Sequence, residues 1–288
     1  MQPSVSQRWL SVQIQRMFGG SMFRSLRPQP NLIGQGQVVH REAGAAPPFI
    51  RSSPPPIHLC PMTSAGSLRP MIRRLVRHPI FPFAAPFAAY VLILSANKAH
   101  PHAVYLTYPL MVFLVGWLLA YLWNRLPEIK FARPWASVAL GAAGTALWIG
   151  LYPWLGRSNP SPEEGFNPWI FEGTGIPIGL IAFRMLGTAV IVPIMEEVFW
   201  RGFLQRYLIR EDFESVELGT YSHLSFWGVT GMFVLAHADQ WGVALIWGAM
   251  AGYWFIRTRS LGDVILLHAV TNLLLGIYVL ATGRWYFW

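Results

Sequence analysis

The sequence holds a single cysteine, Cys60, in 288 residues. One thiol excludes an internal disulfide, a cysteine-rich zinc site and an iron–sulfur ligand set. Charge is scarce too: 12% of residues are Asp, Glu, Lys or Arg, about half the usual soluble fraction. Acid is nearly missing at the start, where residues 1–78 carry ten arginines and only Glu42. Beyond residue 78 acids and bases balance, so the net charge of +9 belongs to the N-terminal stretch. No aromatic or Gly-rich recognition module accompanies these arginines, which argues against a nucleic-acid partner. The simpler reading is a topology signal, with positive charge kept cytoplasmic.

Apolar residues are abundant. Hydrophobic side chains make up 53% of the chain, including 14 Trp, 18 Phe and 10 Tyr. Residues 1–70 stand apart, being basic and rich in Pro and Arg, with Pro54–Pro56 in a row and no sustained apolar period. This composition reads as disorder or as a mis-assigned N-terminal extension ahead of a start at Met62 or Met71. An Arg-rich, acid-poor leader also has the look of a transit peptide.

From Ile80 onward apolar segments of span length follow one another. They are expected at 80–96, 104–123, 135–155, 178–209, 224–238, 241–256 and 261–281. The fold class is therefore an all-α, polytopic transmembrane bundle of about seven spans (six to eight). Gly141, Ala142, Ala143 and Gly144 suit close helix packing in lipid. Arg73, Arg74 and Arg77, then Arg125, Lys130 and Arg133, then Arg206 and Arg210, then Arg257 and Arg259 all fall on one side if the N-terminus is inside. The loop with Glu163, Glu164 and Glu172 then faces out, and Trp285, Tyr286, Phe287 and Trp288 form an aromatic anchor at the interface.

Against this background, ionisable groups inside spans are conspicuous, because each costs roughly 3 kcal/mol on insertion scales. The fourth span contains EEVFWR with Glu196, Glu197 and Arg201, the fifth ends FVLAH with Phe233 and His237, and the seventh contains HAVTN with His268 and Asn272. Glu197 and Arg201 have ion-pair spacing, and His268 and Asn272 share one helical face. Glu196 and Glu197 differ by ~100° around the helix, so one carboxylate can face a cavity while the other holds Arg201. Pro193 is placed to kink the helix beside Glu196. Along their helices, Asn272 lies ~16 Å from Leu261, His237 ~16 Å from Phe226 and Glu196 ~15 Å from Arg206, a common depth. Arg184 is expected to snorkel to the outer interface. Plain alternatives exist for each residue: structural glue for Glu197–Arg201, an interfacial His237, an interhelical hydrogen bond for Asn272. Two Glu, two His and one Asn at one depth are harder to attribute to packing.

These motifs resemble the CAAX-protease and bacteriocin-processing (CPBP, ABI) family of intramembrane proteases, whose pattern is EExxxR, FxxxH and HxxxN or HxxxD on separate transmembrane helices. The resemblance covers residues 178–282 within a protease domain at 71–288. The phrasing VPIMEEVFWRGFL and HAVTNLLLGIYVLATGRW is similar to the CAAX-protease-related subgroup of bacteria with exosortase and PEP-CTERM sorting. The resemblance implies an endopeptidase of the inner membrane acting on a membrane-tethered protein or peptide. Glu196 with His237 would activate water; His268 and Asn272 would stabilise the oxyanion; Glu197 and Arg201 would shape the site, with Phe233 in support. Cofactor chemistry stays open between none and a divalent metal such as zinc on Glu196, His237 and His268; HExxH is absent. Two other classes remain: a non-catalytic adaptor or self-immunity protein, and a proton-coupled transporter, for which no interrupted half-repeats are visible.

Overall fold

The structure, a computed structural model, describes residues 68–288 apart from 101, 157–159 and 162–163. The N-terminal extension expected over residues 1–70 thus falls almost wholly outside the described residues, as do Cys60, Met62 and Glu163. Among the described residues there is no strand. A basic amphipathic helix, α1 (Leu68–Arg77), leads into α2 (Phe81–Ser95), α3 (Val104–Leu122) and α4 (Pro134–Leu155). The long α5 (Ile176–Tyr207), then α6 (His223–Ala236), α7 (Trp241–Thr258) and α8 (Leu261–Thr282) complete the bundle.

The helix ends follow local chemistry. Pro134 opens α4, where its missing N–H costs no hydrogen bond. Ser222 and Ser225 form a capping box on α6. The Ser260 side chain caps α8 through the Asp263 N–H, and Gly283 at φ 67° ends that helix.

Four helices, ending at Arg125, Leu155, Tyr207 and Thr282, are long and apolar enough to cross a membrane. With the shorter apolar helices beside them, the described residues bear out the all-α membrane bundle. Helices occupy all seven places, but α2 has 15 residues and α6 has 14, each only ~22 Å of helix against ~30 Å of hydrocarbon. The consequence is local: α2 and α6 both stop short at the end of the bundle away from the arginines.

Helix α4 carries a ruler for depth. Trp135 and Trp154 are 82% and 83% exposed, as aromatics at the two interfaces of a membrane would be, and ~28 Å of helix separates them. Midway between them, Gly141 and Thr145 meet α8. Thr145 Oγ1 donates to Thr271 O at 3.0 Å, and Thr271 Oγ1 donates to Gly141 O at 3.0 Å. A Cβ on Gly141 would lie 2.6 Å from Leu267 O, so only glycine permits this approach. The His268–Asn272 turn of α8 is thus at mid-depth.

The basic end is tied together by backbone carbonyls and one acid. Arg125 Nη1 donates to Val76 O at 2.7 Å, and buried Asp263 accepts from the Ala132 and Arg133 N–H groups at 3.0 and 2.9 Å. At the opposite end the aromatic tail packs against the bundle. Trp285 is buried, Tyr152 packs on Tyr286 and Phe287, and Trp288 lies against Phe166. Rings folded onto the bundle bury more apolar area than rings left at an interface.

Candidate active site

Helix α5 is not a regular α-helix where it matters. Gly187–Ile191 and Val198–Leu204 are π-helical, and the acidic motif occupies the α-turns between them, Val192–Glu197. Such turns occur where a sequence is held off regular register, often at functional sites. In the first π turn the Val192 N–H donates to Gly187 O. The next carbonyl, Thr188 O, would look to the N–H of residue 193, which is proline and has none. Asn272 supplies the donor from α8, with Nδ2 2.9 Å from Thr188 O. One hydrogen of the Asn272 amide is therefore committed to the helix backbone.

The two glutamates separate as adjacent helical positions must. Glu196 is 6% exposed on the wall of a cavity, whereas Glu197 is fully buried behind it. Glu197 accepts from Arg201 Nη1 at 2.9 Å and, on the same Oε1, from His268 Nδ1 at 2.8 Å. The second carboxylate oxygen lies 2.8 Å from Arg201 Nη1, at an angle that serves as an ion pair and not as a hydrogen bond. Arg201 is 1% exposed, and its guanidinium lies 5.6 Å from the Phe233 ring centroid. Glu196 has no such neighbour: its Oε2 is buried without a hydrogen-bond partner among the described residues.

The histidines present the same nitrogen to the cavity. His237 follows the last residue of α6, and its Nδ1 lies 3.0 Å from Phe233 O. A carbonyl only accepts, so Nδ1 carries the proton and Nε2 is left for chemistry. His268 Nδ1 is committed to Glu197, again leaving Nε2, in the carboxylate–histidine pattern that fixes a tautomer and a ring plane. Phe233 packs against His237 at 4.3 Å and stacks on Trp247 at 5.3 Å; Trp247 meets His268 edge-on at 4.7 Å. The FxxxH motif is thus a ring stack with a histidine on one side and an arginine on the other.

Glu196, His237, His268 and Asn272 all line one cavity of about 310 Å³. Residues where the two short helices stop also line it: Leu94 in the last turn of α2 with Asn97 just beyond, and His237 and Gln240 after α6. Four aromatic wall residues escaped sequence reasoning: Tyr90, Tyr108, Trp148 and Trp247. Only Trp148 left a trace in the sequence, as an aromatic near the small Gly141–Gly144 patch. Arg184 also lines this cavity. The rings of Tyr108, Phe166 and Trp288 surround its guanidinium and hold it inside.

Among the described residues no group of three or more His, Cys, Asp or Glu side chains gathers as a metal-binding set. Glu197, the carboxylate nearest to a histidine, is already shared between Arg201 and His268. Glu196, His237 and His268 line the same cavity.

No curated protein and no solved structure matches the chain. A family model does match residues 178–274, about a third of the chain and the part that carries every motif residue. Over that third the chain is similar to the family described as Type II CAAX prenyl endopeptidase Rce1-like, which supports the CAAX-protease resemblance and, at family level, a membrane-embedded peptidase.

Proposed function

We propose that residues 71–288 form an intramembrane endopeptidase of the CAAX-protease type that hydrolyses a peptide bond of a membrane-tethered protein or peptide. One observation carries the reading: Glu196, His237, His268 and Asn272, from three helices, share one cavity at mid-depth in an apolar bundle.

In this reading ionised Glu196 takes a proton from water, the hydroxide attacks the scissile carbonyl, and Glu196 returns the proton to the leaving amine. Its unpartnered Oε2 is the basic atom in reach of that water. His237 Nε2 holds the same water by accepting its second hydrogen. His268 faces the developing oxyanion with Nε2, and the remaining Nδ2 hydrogen of Asn272 is a donor to it. Donors aimed at a developing oxyanion contribute about 10²–10³-fold in rate. The basic N-terminal flank supports a cytoplasmic N-terminus in a bacterial inner membrane, with the C-terminal ends of α2 and α6 on the outer side. A sorting-system substrate, from an exosortase and PEP-CTERM pathway, suits that geometry.

The test is cleavage of membrane-tethered peptides by reconstituted protein beside Glu196→Gln and His268→Ala. Both variants are expected to lose about 10²–10⁴-fold in kcat/KM while unfolding at the wild-type temperature in the Glu196→Gln case. Wild-type rates in both variants would overturn the assignment. Chelation followed by metal analysis is expected to leave activity intact; stoichiometric zinc in the active protein would overturn the metal-free step.

A further inference from the structure

Besides Glu196 and the two histidines, the cavity is lined by one further ionisable side chain with a fixed charge, Arg184. It sits eight positions into α5, ~12 Å from the helix start, so it lies within the apolar span, where an unpaired cation is costly. The ion pairs among the described residues leave it out: carboxylates pair with Lys130, Arg201, Arg259 and His268. What holds it is aromatic. The guanidinium carbon is 4.4 Å from the Tyr108 ring centroid, 5.1 Å from Phe166 and 5.8 Å from Trp288. These rings orient the guanidinium and lower its desolvation cost, but they take none of its hydrogen bonds. Its Nε is buried without a partner.

The cage is deliberate in its packing. Tyr108 reaches Arg184 because residue 187, one turn on, is glycine; a Cβ there would lie 2.3 Å from the tyrosine hydroxyl. That hydroxyl donates to Arg184 O at 3.4 Å, and Thr188 Oγ1 donates to the same carbonyl at 2.8 Å. Backbone and ring plane are both set, and a planar fork of donors is left for a ligand.

We propose that Arg184 is an anion subsite of this cavity that binds a carboxylate of the peptide substrate. The proposal rests on the peptidase reading and adds to it a substrate feature. A guanidinium matches a carboxylate through paired hydrogen bonds. Arg184 and Glu196 are twelve positions apart on α5, roughly 18 Å. An extended peptide covers up to ~3.3–3.6 Å per residue, so about five residues separate the scissile bond from the bound carboxylate. A free C-terminus about five residues beyond the cut supplies one carboxylate, and an Asp or Glu side chain at that place supplies the other.

The experiment uses full-length protein in phosphatidylcholine nanodiscs and one tethered peptide in three forms: free acid, C-terminal amide, and amide with Glu as the fifth residue past the cut. Wild type is expected to favour the free acid over the amide by about 10- to 100-fold in kcat/KM, the size of a charge-assisted hydrogen-bonded contact. Cleavage of the Glu-bearing amide at the acid's rate assigns the contact to a side chain, and cleavage at the plain amide's rate assigns it to the C-terminus. Arg184→Gln should remove most of the preference by slowing the acid form far more than the amide, and Arg184→Lys should retain part of it. Equal cleavage of all three forms by wild type, or a preference that survives Arg184→Gln, overturns the proposal. If no peptide is cut, binding of the three forms to the Glu196→Gln protein decides separately from the peptidase reading. A carboxylate preference there that Arg184→Gln abolishes supports the subsite, and its absence overturns it. Loss of a co-purified anionic lipid in Arg184→Gln, with no change in peptide binding, would give the site to lipid and also overturn the proposal.

Discussion

Two arginines on α5, Arg184 and Arg201, occupy opposite environments. Arg201 is 1% exposed and bonded to Glu197 one turn away; Arg184 lines the cavity with three rings around it and no acid. The first cation is satisfied within the fold. It neutralises Glu197, which in turn fixes His268, so its role ends in the shape of the site. The second is positioned as firmly but left electrically open. In a medium that punishes unpaired charge, the difference separates a charge that builds the protein from one that waits for a ligand.

The contrast is broken most severely at Glu197. Replacing it with Leu leaves Arg201 buried and unpaired, an expected loss of about 3–5 kcal/mol, read from unfolding in mixed micelles. Adding Arg201→Leu should restore much of that loss, because burying neither charge costs less than burying one. A double variant as unstable as Glu197→Leu would show that the pair does not act as a unit.

Next in size is the bond from Asn272 to Thr188 O. Asn272→Leu should cost about 1–3 kcal/mol by orphaning that buried carbonyl. Pro193→Ala returns a backbone N–H to the same turn, so the penalty of Asn272→Leu should shrink in that background. Equal penalties in both backgrounds would separate the asparagine from the proline. Arg184→Gln should change stability by less than about 1 kcal/mol, since only ring contacts are lost. A loss like that of Glu197→Leu would make Arg184 structural and erase the contrast. The smallest effect is expected from Thr145→Val, about 0.6 kcal/mol for one interhelical hydrogen bond in lipid.

The contrast also marks what was legible in the sequence. Helix positions were readable to within about two residues, because a bilayer demands long apolar runs and punishes interruptions. The division between Glu196 and Glu197 was readable from the rotation per residue alone. The surroundings of Arg184 were not readable, because the cage around it comes from α3, the 166 loop and the C-terminal tail, none adjacent in sequence. Tyr90 and Trp247 were hidden for a related reason: in an apolar run every aromatic looks alike until packing picks the few that face a cavity. The shortness of α2 and α6 shows only as two brief runs, and the meeting of their ends at one cavity wall exists only in three dimensions.

The π-helical stretch Gly187–Ile191 bears on how this chain can change over time. A π turn is a helix carrying a surplus residue. The surplus is taken up within a single turn, so deleting one of these positions would close the bulge and leave all that follows near its present rotation. Glu196 would keep its place on the cavity wall, while the turn around the Thr188 carbonyl would tighten to ordinary pitch. The interval between Arg184 and Glu196 can therefore absorb the loss of one residue as well as exchanges among apolar ones. Among relatives it should drift in spelling and, by one, in count.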